Sequence, residues 1–359
     1  MNDSRHDITS TQLMALLVSA EIGAGIVTLP SILAQKVGHD GWISIIITGF
    51  LCIAVGLIIM NLLKSYSDKT IFQINDIIYG KILGFILNFS FLLYLVFIAG
   101  MTLRVFMEIV NIIVLKLTPP LVITVIISIS TVYGVAKGLK VIARFSVMLY
   151  FSYFIMILTL LMAIKYTRYT YLLPVGYAGL SNIANGVKIS AYSFLGFELV
   201  AVIYPNIKNK DKAATYMCLS IAITTLYYVM AVVVTTAMFG ETKLAMLVFP
   251  IYNLEQSLNI PVIERFDIFY IMFWFPTIAS SVRAYFFSTY YGITKVFKIR
   301  MKKLLIFALA VAVIAISRVP RNFEAMYDYL KFGGNLGIFL IFIINITFLI
   351  SFVKRRWLI

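Results

Sequence analysis

The chain has 359 residues, 62% of them hydrophobic and only 13% charged, with a mean hydropathy of +0.98. A soluble domain needs roughly 25% charged residues to solvate its surface, so lipid must be the solvent here and a soluble enzyme is excluded. The net charge of +15 sits in short clusters between apolar stretches, a pattern of membrane topology rather than of nucleic-acid binding.

A membrane-spanning helix needs about 20 mostly apolar residues. Ten segments qualify, near residues 9–34, 41–63, 82–110, 119–136, 141–164, 183–206, 214–238, 266–294, 304–319 and 333–353. The expected fold is an all-α integral membrane protein of about ten transmembrane helices in one domain, 1–359. The leading MNDSRHDITSTQ lacks the basic-then-apolar pattern of a cleaved leader, so the first apolar segment is expected to stay.

Span 1 carries Glu21-Ile-Gly-Ala-Gly-Ile26, then Thr28 and Pro30. Two glycines and a proline disfavour a continuous helix, although small residues also serve close helix packing. After span 2, SDKTIFQINDIIYG reads as a surface helix. On span 3, Arg104 and Glu108 are four apart and suit a helical ion pair. Span 6 repeats the theme of span 1 with Ser193-Phe-Leu-Gly-Phe-Glu198. The stretch 239–265 is another long gap. Span 8 reads MFWFPTIASSVRAYFF, with Pro276 freeing a carbonyl beside Ser280 and Ser281. Cys52 and Cys218 lie far apart in apolar stretches and read as small buried hydrophobes. With only His6 and His39 besides, no metal motif or cofactor is expected.

Placing the N-terminus inside puts 18 of the 30 Lys and Arg residues on inner loops and 10 on outer ones. Lys188 and Arg283 remain within spans. Both termini are therefore expected to be cytoplasmic.

Spans 1 and 6 open two halves of five, 1–165 and 180–359, and an odd number per half inverts one relative to the other. Interrupted segments in corresponding positions mark a transporter-type binding site, where half-helix N-termini attract a carboxylate and freed carbonyls an ammonium or cation. The expected pocket is formed by Glu21, Ile22, Gly23, Ala24 and Gly25 with Tyr192, Ser193, Phe194 and Gly196, and a small zwitterion such as an amino acid suits it. Tyr94 lies at matching depth.

IGAGIVTLP at 22–30 and GHDGWI at 38–43 resemble the endospore germination permease family, and SFLGFE at 193–198 resembles the helix 6 signature of the wider amino acid/polyamine/organocation superfamily. The resemblance implies a ten-helix core with a five-plus-five inverted repeat, its helices 1 and 6 interrupted. It also implies recognition of a germinant, often an amino acid, in the spore inner membrane, beside germinant receptor A and C subunits. In related transporter folds a sodium site lies between helices 1 and 8, which makes Ser280 and Ser281 candidates, although serine also bonds back to its own helix. The family usually has an uncharged residue where this chain has Glu21.

Ionisable groups within spans are functional candidates by default. Glu21 suits an ammonium, a proton, or a basic partner such as Lys188 or Arg283. Glu198 and Arg283 share a depth, and an ion pair between them would lock spans 6 and 8 or gate the inner side. Lys188 either snorkels to the interface or faces the pocket from above.

Three function classes compete: a ligand-sensing germinant receptor subunit, a proton- or ion-coupled amino acid transporter, and a membrane enzyme. The third lacks any paired-carboxylate, metal or nucleophile–base constellation. Both of the first two need the same pocket.

Overall fold

The computed structural model describes residues 5–23, 25–258 and 265–356. Helix α1 (Ser10–Glu21) and α2 (Leu29–Lys36) make up the first predicted span, broken between them, and α3 (Gly41–Ser65) is the second. The next three fall on α4 (Ile71–Ile113), α5 (Pro120–Lys137), and α6 (Leu139–Met148) with α7 (Tyr150–Ala163). The sixth is again broken, into α8 (Gly179–Ser193) and α9 (Val200–Ile203). Helix α10 (Lys210–Met246) follows, and the short α11 (Pro250–Gln256) lies in the 239–265 connection. The last three predicted spans fall on α12 (Phe266–Phe297), α13 (Lys302–Ser317) and α14 (Phe323–Arg356).

Among the described residues six helical segments are long and apolar enough to cross a membrane, and the pair 179–193 and 197–206, bent by 48°, makes a seventh if it is one span. The broken halves α1 and α2, with 12 and 8 residues, are each too short alone. The chain is a multi-pass, all-helical membrane protein.

Local sequence explains several boundaries. Thr9 and Gln12 form a reciprocal capping box at the start of α1, and Thr70 and Gln73 do the same for α4. The expected surface helix begins at Ile71 and ends at Gly80, whose φ of +78° breaks the helical path. Asn88 secures the corner by donating to the Phe72 carbonyl (2.9 Å) and to Asp76 Oδ1 (3.0 Å). Arg104 and Glu108 pair at 2.9 Å as their spacing suggests. Cys52 is buried and Cys218 half-buried, both as free thiols.

Loops expected on one side are bonded to each other. On the N-terminal face, Ile8 N–H donates to Asn206 O (3.0 Å) and Lys140 N–H to Arg5 O (3.0 Å). There too, Lys210 Nζ reaches Asp68 at 2.9 Å and holds that carboxyl below its usual range.

On the opposite face, the GHDGWI segment acts as a staple. Both Asp40 oxygens accept backbone N–H groups, from Gly176 (3.0 Å) and Ala178 (2.9 Å). His39 places Nδ1 2.9 Å from Glu241 Oε2 and Nε2 2.8 Å from the Pro174 carbonyl. The turn between α2 and α3 is thereby tied to the link before α8 and to the end of α10.

Candidate functional site

The two helix breaks meet inside the fold. Helix α1 ends at Glu21 and α8 at Ser193, and their last carbonyls are bridged by one side chain from α10. The Tyr228 hydroxyl lies 2.7 Å from Glu21 O and 3.0 Å from Ser193 O. Freed helix-end carbonyls need such partners when buried. Ser281 on α12 serves another, donating to Ala20 O at 3.0 Å.

Glycine allows this approach. A Cβ on Gly25 would lie 2.8 Å from Ser193 Cα, and one on Gly23 would lie 2.7 Å from Ser281. Gly196, at φ +137°, faces the Glu21 backbone nitrogen, which a Cβ would meet at 2.8 Å. The close-packing reading of these glycines and the broken-helix reading hold together: the breaks exist, and their glycines pack them against each other.

A cavity of about 110 Å³ opens beside the junction. Its wall includes Glu21, Gly25, Thr28, Tyr192, Ser193 and Tyr285. Thr28, Ile32, Ile189, Tyr192, Tyr327 and Lys331 also line a second cavity of about 710 Å³, so the two are neighbours that share a wall. The larger one reaches toward the α2–α3 turn, taking in Lys36 and Lys188.

Glu21 is 1% exposed. Its carboxylate accepts from the Thr224 hydroxyl and, at 3.4 Å, from Ser220. Glu198 is fully buried as well, accepting from Tyr94 OH (2.8 Å), Tyr285 OH (3.1 Å) and Gly196 N–H (2.6 Å). Among the described residues neither carboxylate has a basic partner within ion-pair distance. Glu21 is held by hydroxyl donors alone, which leaves lone pairs on its carboxylate open, whereas Glu198 also takes a backbone N–H.

The description spore germination protein belongs to the family that matches residues 7–325. The chain is a member of that family. Spore germination protein B2 of Bacillus subtilis (strain 168) is 26% identical over 359 residues, covering 99% of this chain and 97% of its own. Spore germination protein GerQB of Bacillus cereus is 26% identical over 300 residues, covering 84% and 83%. Among solved structures, MhsT in complex with L-phenylalanine superposes with a TM-score of 0.67 at 14% identity, over 96% of this chain and 97% of that one. A Na+-coupled sialic acid symporter in a substrate-bound outward-open state gives 0.66 at 11% identity, over 87% and 74%. The fold is therefore transporter-like, and the chain stands with germination proteins rather than enzymes.

Within this germination protein, the expected pocket residues divide. Glu21, Gly25, Tyr192 and Ser193 line the cavity. Ile22, Gly23, Phe194 and Gly196 do not: Gly23 and Gly196 pack the junction, and the Phe194 ring packs edge-on against Tyr228 at 5.4 Å. Ala24 lies outside the described residues. Lys188 faces the larger cavity, exposed and without a carboxylate partner among the described residues.

The expected Glu198–Arg283 pair does not form. Residues 283 and 285 are two apart on α12, roughly 200° around a helix. Tyr285 faces Glu198, so Arg283 points the other way. Its guanidinium lies 4.4 Å from the Phe145 ring centroid and donates to Ser130 Oγ at 3.2 Å. Neither Arg283 nor Lys188 partners Glu21. Ser280 and Ser281 bond across helices rather than back to their own. Ser280 joins Ser19 (3.2 Å) and Ser146 (3.1 Å) in a buried hydroxyl cluster between α1, α6 and α12.

Sequence reading passed over the α10 residues. Ser220, Thr224 and Tyr228 recur every four positions on α10, a polar stripe at helical spacing that points at the junction. Tyr285, Tyr327 and Lys331 were passed over too.

Proposed function

We propose that this chain is the B-type subunit of a spore germinant receptor and binds a small germinant, an amino acid or another primary ammonium compound, in the cavity between the two helix breaks. The observation that carries the reading is Glu21: a buried carboxylate on the cavity wall, held by hydroxyl donors and without a basic partner among the described residues. A ligand ammonium completes such a site by charge-assisted hydrogen bonding. The N-terminus of α2, where Gly25, Thr28 and Leu29 meet the cavity, offers the positive end of a helix dipole to the ligand carboxylate. The ligand enters from the larger cavity, which adjoins this one through the shared side chains of Thr28, Ile32, Ile189, Tyr192, Tyr327 and Lys331. The five-plus-five inverted repeat, with halves 1–165 and 180–359, accounts for the symmetric placement of the breaks.

The excess of Lys and Arg on the N-terminal face puts both termini in the cytoplasm, with the larger cavity opening outward across the spore inner membrane. Occupancy shifts an equilibrium between pocket states, and A and C subunits receive that change. A second reading, proton- or ion-coupled amino acid transport, is favoured by the buried carboxylates Glu21 and Glu198.

Purified protein in proteoliposomes tests both. A labelled amino-acid mixture is scored for equilibrium binding and for counterflow, with Glu21→Gln alongside. Binding without counterflow, weakened by Glu21→Gln, is the expected result. Saturable counterflow would establish the transporter reading, and unchanged binding in Glu21→Gln would remove Glu21 from the site.

A further inference from the structure

Arg283 is a cation in the middle of a span with no anion. One terminal nitrogen donates to Ser130 on α5, and the guanidinium stacks on Phe145 of α6. The other terminal nitrogen, Nη1, is enclosed and has no hydrogen-bond partner among the described residues, so the edge open to an outside group is the one at Nη2 and Ser130. Among the described residues no carboxylate lies within ion-pair distance.

The direction of the side chain matters. Its Cδ lies over Gly134, 3.6 Å from where a Cβ would stand, while its tip reaches Ser130, one turn farther from the Lys137 end of α5. Arg283 therefore runs toward mid-span instead of snorkelling to the nearer interface. At 1.5 Å per residue, Ser130 is roughly 10 Å in from the end of α5. Lipid phosphates lie outside a hydrocarbon core about 30 Å thick, too far away to pair with this tip.

The flank around it is open. Ser130 is exposed, Ile129 and Tyr133 are 64% and 65% exposed on α5, and Met148 at the end of α6 is 74% exposed. In a bilayer such a face meets either acyl chains or another helix, and acyl chains offer a cation nothing. Intramembrane cations normally find a counter-charge.

We propose that the flank formed by α5, α6 and α12 is the interface for a transmembrane helix of a different polypeptide, carrying an aspartate or glutamate opposite Arg283. A second copy of this chain does not supply that group, because the carboxylates within its spans are either enclosed in its own core, as Glu21, Glu198 and Asp267 are, or paired with an arginine, as Glu108 is with Arg104.

The test places a photo-crosslinking residue at Ile129 in the full-length protein, in membranes of the cell that makes it, and sequences the adducts. The expected adduct is with one other protein, within an apolar segment containing an acidic residue. Its yield should fall about tenfold in Arg283→Gln, persist in part in Arg283→Lys, and recover when the two charges are exchanged. Adducts with lipid alone, with a second copy, or with a segment lacking an acid would overturn the proposal, as would a yield indifferent to Arg283→Gln. Thermal melting of the purified chain separates a structural role. Arg283→Gln gives up one hydrogen bond to Ser130 and the stack on Phe145 while shedding an unpaired charge, so it should melt close to the parent, and loss of its cooperative melting transition would also overturn the proposal.

Discussion

The Thr224 hydroxyl on α10 donates to the carboxylate of Glu21 at the end of α1. This contact ties the broken first span to an unbroken helix at the depth of the cavity. It uses one lone pair of a group that has several and leaves the others for a ligand.

Losing the charge at Glu21 should therefore be read in binding before stability. A charge-assisted hydrogen bond contributes about 1.5–3 kcal/mol, so Glu21→Gln should weaken an ammonium ligand by roughly 10- to 100-fold. Thr224→Val should lower the melting temperature while changing affinity far less. Isothermal titration and melting curves on the same preparations separate the two effects.

Three glycines, Gly80 at the end of the surface helix and Gly25 and Gly196 at the junction, should rank by what surrounds them. Gly80 has a positive φ and open space, and Gly25 faces the Ser193 backbone at 2.8 Å. Gly196 combines a positive φ with a backbone contact at 2.8 Å. Alanine at 80 should cost about 1 kcal/mol, and alanine at 25 or 196 more than about 2 kcal/mol, because packed backbone must move. Melting of the three variants in one detergent checks the order.

Glu198 should couple to Tyr285 and not to Arg283. In double-mutant cycles, Glu198→Gln with Tyr285→Phe should show an interaction of about 1 kcal/mol or more, whereas Glu198→Gln with Arg283→Gln should be additive within about 0.5 kcal/mol. A large coupling to Arg283 would contradict the side-chain directions seen on α12.

Stability should fall as pH rises. Glu255 on α11, in the connection outside the predicted spans, is buried with Oε1 accepting from Thr159 (2.7 Å) and Oε2 without a partner among the described residues. Burial pushes its carboxyl from 4.5 up to about 8. Between those values the folded chain holds a proton that the unfolded chain releases, so this contribution to stability is complete below about 4.5 and is lost as pH rises toward 8. The slope is at most about 1.4 kcal/mol per pH unit. Melting curves from pH 5 to 8 should flatten in Glu255→Gln.

Much of this architecture is legible in the sequence, for identifiable reasons. Apolar length marks the helices, and glycine with proline marks the break near Gly23. The matching break at Gly196 shows through a glycine flanked by Ser193 and Glu198. Depth along a span can also be counted, and Glu198 meets Tyr285, two residues from Arg283 on α12. Azimuth was missing: the two-residue offset between Arg283 and Tyr285 turns one toward Glu198 and the other away. The same omission hid Ser220, Thr224 and Tyr228, whose meaning depends on what their face of α10 meets. Helix α11 escaped because seven residues in a connection carry too little periodicity.

Tyr228 has one phenolic proton and two carbonyls within reach, Glu21 O and Ser193 O. A single proton cannot fully satisfy both, so any displacement that favours one helix end weakens the hold on the other. The hydroxyl works as the pivot of a balance between the two interrupted spans. A solute wedged beside either of them would tip it, and a movement of a few tenths of an ångström would be enough to pass the proton's allegiance from one half of the protein to the other.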